Sequence, residues 1–157
     1  MRKIRKIRKI FPLLCLIFSN LLFAGDYLLL CKGEEVKYIE GDSNSERLSI
    51  KVIGIQLYKE GMRLDGEWFA NKRDLTEDYL LESSYVKSKD NIIGVRKFST
   101  NTLIKGQKIQ TVKIDKVEIN ILTNDIFWTH VLNRLDKTNA ITNTIYAFRK
   151  NFKGTCS

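Results

Sequence analysis

Apolar and polar residues alternate in short stretches along most of this chain, and glycine, asparagine and aspartate interrupt them. A period of two is the signature of half-buried strands. Tyr27 to Cys31 is a continuous apolar run suited to a buried strand, and Glu35 to Ile39 alternates up to the turn cluster Gly41-Asp42-Ser43-Asn44. Leu48, Ile50 and Val52 mark one strand face; after Ile53-Gly54 the apolar positions move to Ile55 and Leu57. A one-residue change of phase at a glycine predicts a β-bulge. Glu60-Gly61 is a turn signal, and Asp65-Gly66 is a strong hairpin cue. Trp68 and Phe69 open the next segment. Tyr85-Val86, Ile92 to Val95, Thr102 to Ile104, Ile109 to Ile114 and Val117 to Leu122 read as further strands, with Val117, Ile119 and Ile121 on one face.

Two segments carry a helical signal. Asp74 and Glu77 have capping-box spacing ahead of Tyr79, Leu80 and Leu81, which predicts one short helix near Leu75 to Glu82. Phe127, Trp128, Val131, Leu132 and Leu135 also sit at helical spacing, while a strand would place Trp128 and Leu132 on one face and Phe127 and Val131 on the other. Alternation elsewhere predicts one antiparallel all-β domain of about eight strands. Its expected core is a single cluster holding Trp68, Phe127, Tyr146, Ile50 and Ile119, the bulkiest or best-alternating positions of five strands.

The start of the chain follows another pattern. Three basic pairs, each followed by isoleucine, precede the apolar run Phe11 to Phe23, and Ala24 supplies a small residue for cleavage. This is the layout of a secretory signal over residues 1–24, with a mature domain over 25–157. The apolar run is short for a bilayer span, which takes about 20 residues. Leu22 is bulky for a cleavage site, so retention of the signal as an anchor stays open, whereas neither Cys15 nor Cys31 has a small residue before it as a lipid-modified cysteine requires. Export changes the charge balance. The chain carries +9, but six of its 27 basic residues leave with the signal, so 21 basic residues stand against 18 acidic ones. That balance implies no nucleic-acid partner.

Cys31 and Cys156 are then the two mature cysteines, and an oxidising compartment should pair them. The other chemistry is sparse. His130 is the sole histidine, read as a satisfied polar residue or a surface residue rather than a catalytic base. Glu34-Glu35 and Glu77-Asp78 are adjacent in sequence and would diverge on a strand or helix. Asp115 to Asp125 lacks calcium-loop spacing, and the nine glycines are spread singly, so no phosphate loop exists. Thus no catalytic, cofactor-binding or metal-ligating set is expected. Lys87, Lys89, Arg96, Lys97, Lys105 and Lys108 form a basic middle that could meet an anionic surface or nucleic acid, though solvated strand faces and edges are the favoured reading. Tyr27, Tyr38, Tyr58, Trp68, Phe69, Phe127, Trp128, Tyr146 and Phe148 could line a cup for an apolar ligand, though core packing is the favoured reading.

Leu29-Leu30-Cys31-Lys32-Gly33, Leu132-Asn133-Arg134 and Phe152-Lys153-Gly154-Thr155-Cys156 resemble segments of small uncharacterised secreted or periplasmic bacterial proteins. Asp136-Lys137-Thr138-Asn139 departs from the Thr-Gly turn of that group. The resemblance implies a β-meander or barrel, makes Phe127 to Arg134 a strand, and implies no activity. The expected function is therefore a non-enzymatic exported binding or envelope-associated domain, contacting a small apolar ligand or another protein. The alternative is an inhibitor of a host hydrolase: bacterial lysozyme inhibitors are similar in joining the first strand to the C-terminus by a disulfide. Their Ser-Ala-Ser-Gly-type loop has only a faint echo here in Glu82-Ser83-Ser84-Tyr85.

Overall fold

The structure, a computed structural model, describes residues 27–41, 47–139 and 142–157. The signal assigned to residues 1–24 lies outside the described residues. The fold is all-β and antiparallel: β1 Tyr27–Ile39, β2 Arg47–Leu57, β3 Gly61–Leu64, β4 Glu67–Ala70, β5 Lys72–Leu75, β6 Tyr79–Lys87, β7 Asn91–Ile104, β8 Gln107–Asn120, β9 Asp125–Asp136 and β10 Asn143–Cys156. They form one sheet in the order β4-β3-β2-β1-β10-β9-β8-β7-β6-β5. The two end strands are consecutive in the chain and separated by Asn71 alone, so one kinked segment pairs with β3 through its first half and with β6 through its second. The sheet thereby curls into a nearly closed barrel. At the kink, side chains replace ladder bonds: Ser83 Oγ accepts from the Ala70 amide at 3.2 Å, and Asn71 Oδ1 accepts from the Tyr85 amide at 2.9 Å.

Ten strands replace the expected eight, and among the described residues there is no helix. Asp74 and Leu75 belong to β5 and pair with Leu81 and Leu80, and the Thr76 amide donates to the Tyr79 carbonyl across the connecting turn. Of the two acidic residues that suggested a helix cap, Asp74 lies within β5 and only Glu77 falls in this turn. Tyr79, Leu81, Ser83 and Tyr85 then continue the two-residue phase of β6. Segments that looked separate are joined: Ile92 to Val95 and Thr102 to Ile104 both belong to β7, a long hairpin partner of β8. Phe127 to Arg134 is strand β9, as the resemblance implied. Asp65-Gly66 forms the predicted tight turn, with φ of 51° and 81°, and Lys105-Gly106 forms a second with φ of 50° and 83°. Positive φ at both central residues is the hairpin geometry that matches strand twist.

The expected bulge at Gly54 is absent. β2 runs in unbroken register with β1 from Tyr27↔Leu57 to Lys37↔Arg47. The change of phase is a change of face: Ile55 and Leu57 point inward and are buried, whereas Leu48, Ile50 and Val52 point outward and are 64–73% exposed. The expected core fails for the same reason. Ile119 is buried, but Ile50, Phe127, Trp68 and Tyr146 are at the surface. These strands are apolar on both faces, so bulk did not identify the inner one. On β9 the inner face carries Trp128, while Phe127 lies outside beneath the Lys153 ammonium at 5.5 Å. The actual core is one cluster that includes Ile55, Met62, Phe69, Val117, Ile119, Ile126, Trp128 and Phe152.

The two chain ends that carried the resemblance are one structural unit. Cys31-Lys32-Gly33 pairs residue for residue with Cys156-Thr155-Gly154. Cys31 and Cys156 are disulfide-bonded with Cα atoms 3.9 Å apart, closer than the usual 4.4–6.8 Å. The closeness has two causes. Leu30 and Ser157 exchange both backbone hydrogen bonds, which leaves the next pair in the narrow, non-bonded spacing. Gly33 and Gly154 then let the backbones approach: a Cβ on Gly33 would lie 2.1 Å from the Lys153 carbonyl oxygen and 2.5 Å from Gly154 Cα. Gly33→Ala should therefore destabilise by about 2–3 kcal/mol, the upper part of the overpacking range, because backbone rather than a flexible side chain must yield. Gly54→Ala meets only flexible side-chain ends, Leu28 Cδ1 at 3.7 Å and Leu30 Cδ2 at 4.0 Å, and should stay within about 0.5 kcal/mol. Urea titrations that gave the two variants equal midpoints would contradict this account.

Candidate functional site

The interior of the barrel changes character along its axis, and strand alternation explains how. Inward positions recur every second residue. From Cys31, that phase continues on β1 to Gly33, Glu35 and Lys37. From Ile126 and Trp128 it reaches His130 on β9; from Ile119 and Val117 it reaches Asp115 and Lys113 on β8; from Cys156 and Phe152 it reaches Lys150 on β10. The ladders align Lys37, Lys150, His130, Asp115 and Arg96 across five strands. An apolar half of the barrel thus gives way to a charged layer.

Three carboxylates organise that layer. Glu35 is fully buried, with Lys51 Nζ at 2.9 Å and Lys37 Nζ at 3.3 Å from Oε1, and Lys150 Nζ at 4.0 Å from Oε2. Burial pushes this carboxyl toward its neutral form, but the Lys51 and Lys37 ammoniums, helped by Lys150, outweigh it and hold the group below its ordinary range. Asp115 is also buried. Its Oδ1 accepts from Trp128 Nε1 at 3.2 Å and lies 2.7 Å from His130 Nδ1. A carboxylate only accepts, so that imidazole nitrogen carries the hydrogen and Nε2 is turned away from the pair. Here too desolvation works upward, and His130, Lys113 and Trp128 together hold Asp115 low. Glu67 enters from β4, because the β3–β4 hairpin leans across the barrel: Arg96 Nη1 is 2.7 Å from its Oε2, and Lys113 contacts its Oε1. The hairpin turn is held by Asp65 to Lys150 at 3.4 Å, and Lys150 in turn sits 3.8 Å above the Trp128 ring.

The layer is incompletely satisfied. Three ammoniums meet Glu35, the nearest at 2.9 Å, whereas Asp115 Oδ2 accepts no hydrogen bond. Buried acceptors of this kind cost about 1–3 kcal/mol each unless a donor reaches them. The next inward row, Phe148, Leu132, Lys113, Phe98 and Leu81, is half-buried and apolar except at Lys113, whose ammonium reaches Glu67. A largely apolar rim, interrupted by Lys113, therefore surrounds a charged floor. On the outside, open clefts of about 440 and 530 Å³ flank the kink; Trp68, Tyr85 and Lys87 line the first, and Arg73, Glu82 and Lys97 the second.

Of the residues singled out from sequence, Cys31 and Cys156 are joined, and His130 is a satisfied polar residue with a carboxylate partner. The aromatic set does not converge: Tyr27, Tyr38, Trp68 and Phe127 lie on the outside. In the basic middle only Arg96 turns inward; Lys87, Lys89, Lys97, Lys105 and Lys108 are exposed. Glu34 and Glu35 diverge as expected, to opposite faces of β1. Glu82 to Tyr85 lies inside β6 and makes no protruding loop. Among the described residues no cluster of histidine, cysteine and carboxylates has the makings of a metal site, and no helix is long and apolar enough to cross a membrane. Sequence reasoning missed Glu35, Glu67 and Asp115. The available signal was their phase: Asp115 falls on the same alternation as Val117 and Ile119, where an apolar residue is the rule. No protein family matches the chain, and neither does any curated protein or any solved structure.

Proposed function

We propose that this chain is an exported, non-enzymatic binding domain, periplasmic or secreted, whose barrel mouth takes a small ligand with an apolar body and a polar head. The observation that carries the reading is the pairing of a rim, apolar at Leu81, Phe98, Leu132 and Phe148 and broken by Lys113, with a charged layer beneath it in which the buried Asp115 Oδ2 accepts no hydrogen bond. Ligand sites are mostly apolar and hold a few convergent polar groups, and this end of the barrel combines both. The disulfide supports the exported setting, since such bonds persist in oxidising compartments.

The test uses two probes of opposite head charge, dodecanoate and dodecylammonium, with the processed protein recovered after export. A bound probe at about 100 times its Kd should raise stability by about 2.7 kcal/mol. One of the two should raise the melting temperature saturably, and Leu132→Glu, which places a charge in the rim, should abolish the shift. No shift with either probe, or an equal shift in the Leu132→Glu variant, would remove the mouth as the site. Recovery of the chain only from the cytoplasm would remove the exported part of the reading.

A further inference from the structure

The sheet leaves one long edge without a strand partner. β3 pairs with β2 only at Ile55, Gln56 and Leu57, so among the described residues no strand pairs with the outer edge of β2 from Arg47 to Gly54. The β3–β4 hairpin does not shield this edge, because Asp65 and Glu67 hold it against the opposite wall. Other free edges in the molecule are blunted. β4 and β5 have four residues each, and β5 is Lys-Arg-Asp-Leu, exposed throughout. Short, charged edges are how natural sheets avoid pairing with other chains. β2 breaks that rule: its outward residues Leu48, Ile50 and Val52 are 64%, 73% and 64% exposed, and Leu28 and Leu30 on β1 extend the apolar surface beside Gly54.

We propose that β2 pairs with β2 of a second copy of this chain, antiparallel about a two-fold axis through Ile50, to join two sheets edge to edge. The strand is self-complementary in that register. Ile50 meets its own counterpart, Leu48 faces Val52 and Val52 faces Leu48, so the outer face carries three aliphatic cross-strand pairs, the type that stabilises antiparallel ladders. On the inner face Lys51 falls opposite Ser49, so no like charges are opposed. Lys51 would otherwise be an inward charge that guards an edge, but Glu35 already holds it at 2.9 Å. A two-fold interface uses the same patch on both subunits, which is what this palindrome of side-chain types supplies. A strand from a different protein would need to match the same pattern; the chain itself already does.

The experiment measures the mass of the processed protein in solution by sedimentation over a concentration series. The expected result is a dimer. Ile50→Lys places two ammoniums at the centre of the interface and should weaken it by roughly 30-fold or more, the scale of a central hot spot. Leu122→Lys, an exposed aliphatic in the turn between β8 and β9, which are separated from β2 by β1 and β10 in the sheet, should leave the dimer intact. Ile50→Cys should form a covalent dimer on mild oxidation, because paired residues face each other across the axis, whereas Lys116→Cys on β8 should not. Ile50→Thr keeps strand propensity and should weaken the dimer without affecting the circular-dichroism spectrum, which covers the case in which the lysine variant fails to fold. A wild-type monomer at all concentrations would overturn the proposal, as would a dimer unaffected by Ile50→Lys or one that Ile50→Cys cannot lock. Recovery of wild type as a stoichiometric complex with another protein, released by Ile50→Lys, would also overturn it by assigning the edge to a foreign strand.

Discussion

Replacing Cys31 and Cys156 together by serine should lower folding stability by about 5 kcal/mol and leave the surface unchanged. The bridge spans 125 residues, so it links the first strand to the last and closes nearly the whole described chain into one loop. In the chain-entropy account a loop of that length restricts the unfolded ensemble by about 5 kcal/mol. Against a typical net stability of about 5–15 kcal/mol, that is a large share. Both cysteines are also buried in the core cluster, so the serine hydroxyls add a desolvation cost rather than relieving one. The melting temperature should fall by about 15–20 °C, on the scale set by the entropy of unfolding a domain of this size. Thermal scans of oxidised wild type and the double variant decide the matter. A drop of only a few degrees would show that the β1–β10 ladder and the glycine pair hold the ends together without the bridge.

Glu35→Ala should cost about 3 kcal/mol, the low end for removing one member of a buried charge group. The figure sits at the low end because Lys37 and Lys51 are partly exposed and regain water, whereas Lys150 keeps little access to it. The same residue predicts a pH dependence. Glu35 and Asp115 both titrate below their ordinary ranges in the folded state. A depressed carboxyl stabilises the fold above its unfolded pKa, and that contribution disappears as pH falls through the folded value. Stability should therefore be constant above about pH 5 and decline below about pH 4. In Glu35→Ala the acid decline should be shallower, since one of the two buried carboxylates responsible is gone. Urea midpoints measured from neutral to acid pH test both statements, and parallel acid profiles for wild type and variant would refute the assignment to Glu35.

The charged layer also bears on how the barrel acquires a mouth. A small β-barrel filled with apolar side chains throughout is a packed object. Here the apolar filling stops at Phe152, Trp128 and Val117, and the following row is Lys150, His130 and Asp115. Charges there hold one another in place across strands far apart in the chain, and the β3–β4 hairpin is anchored to the opposite wall by ion pairs rather than by a ladder.

Sequence alone determined the features that depend on neighbours along the chain. The period-two alternation made the domain all-β, Asp65-Gly66 specified a tight hairpin, and the expected pairing of Cys31 with Cys156 is the disulfide of the structure. Each of these rests on local φ/ψ preference or on simple counting. Tertiary structure decided the rest. Which face of β2 and β9 is inner was not legible, because Ile50 and Phe127 are as apolar as Ile55 and Trp128, and only ring closure of the sheet chooses between them. Strand length was not legible either, since a strand continues through polar residues such as Asn101 and Lys116 when its partner supplies a ladder. The charged layer was hidden because its members are 46 and 85 residues apart in the cases of Glu67–Lys113 and Asp65–Lys150, and a carboxylate becomes a buried organiser only when folding delivers a cation to it.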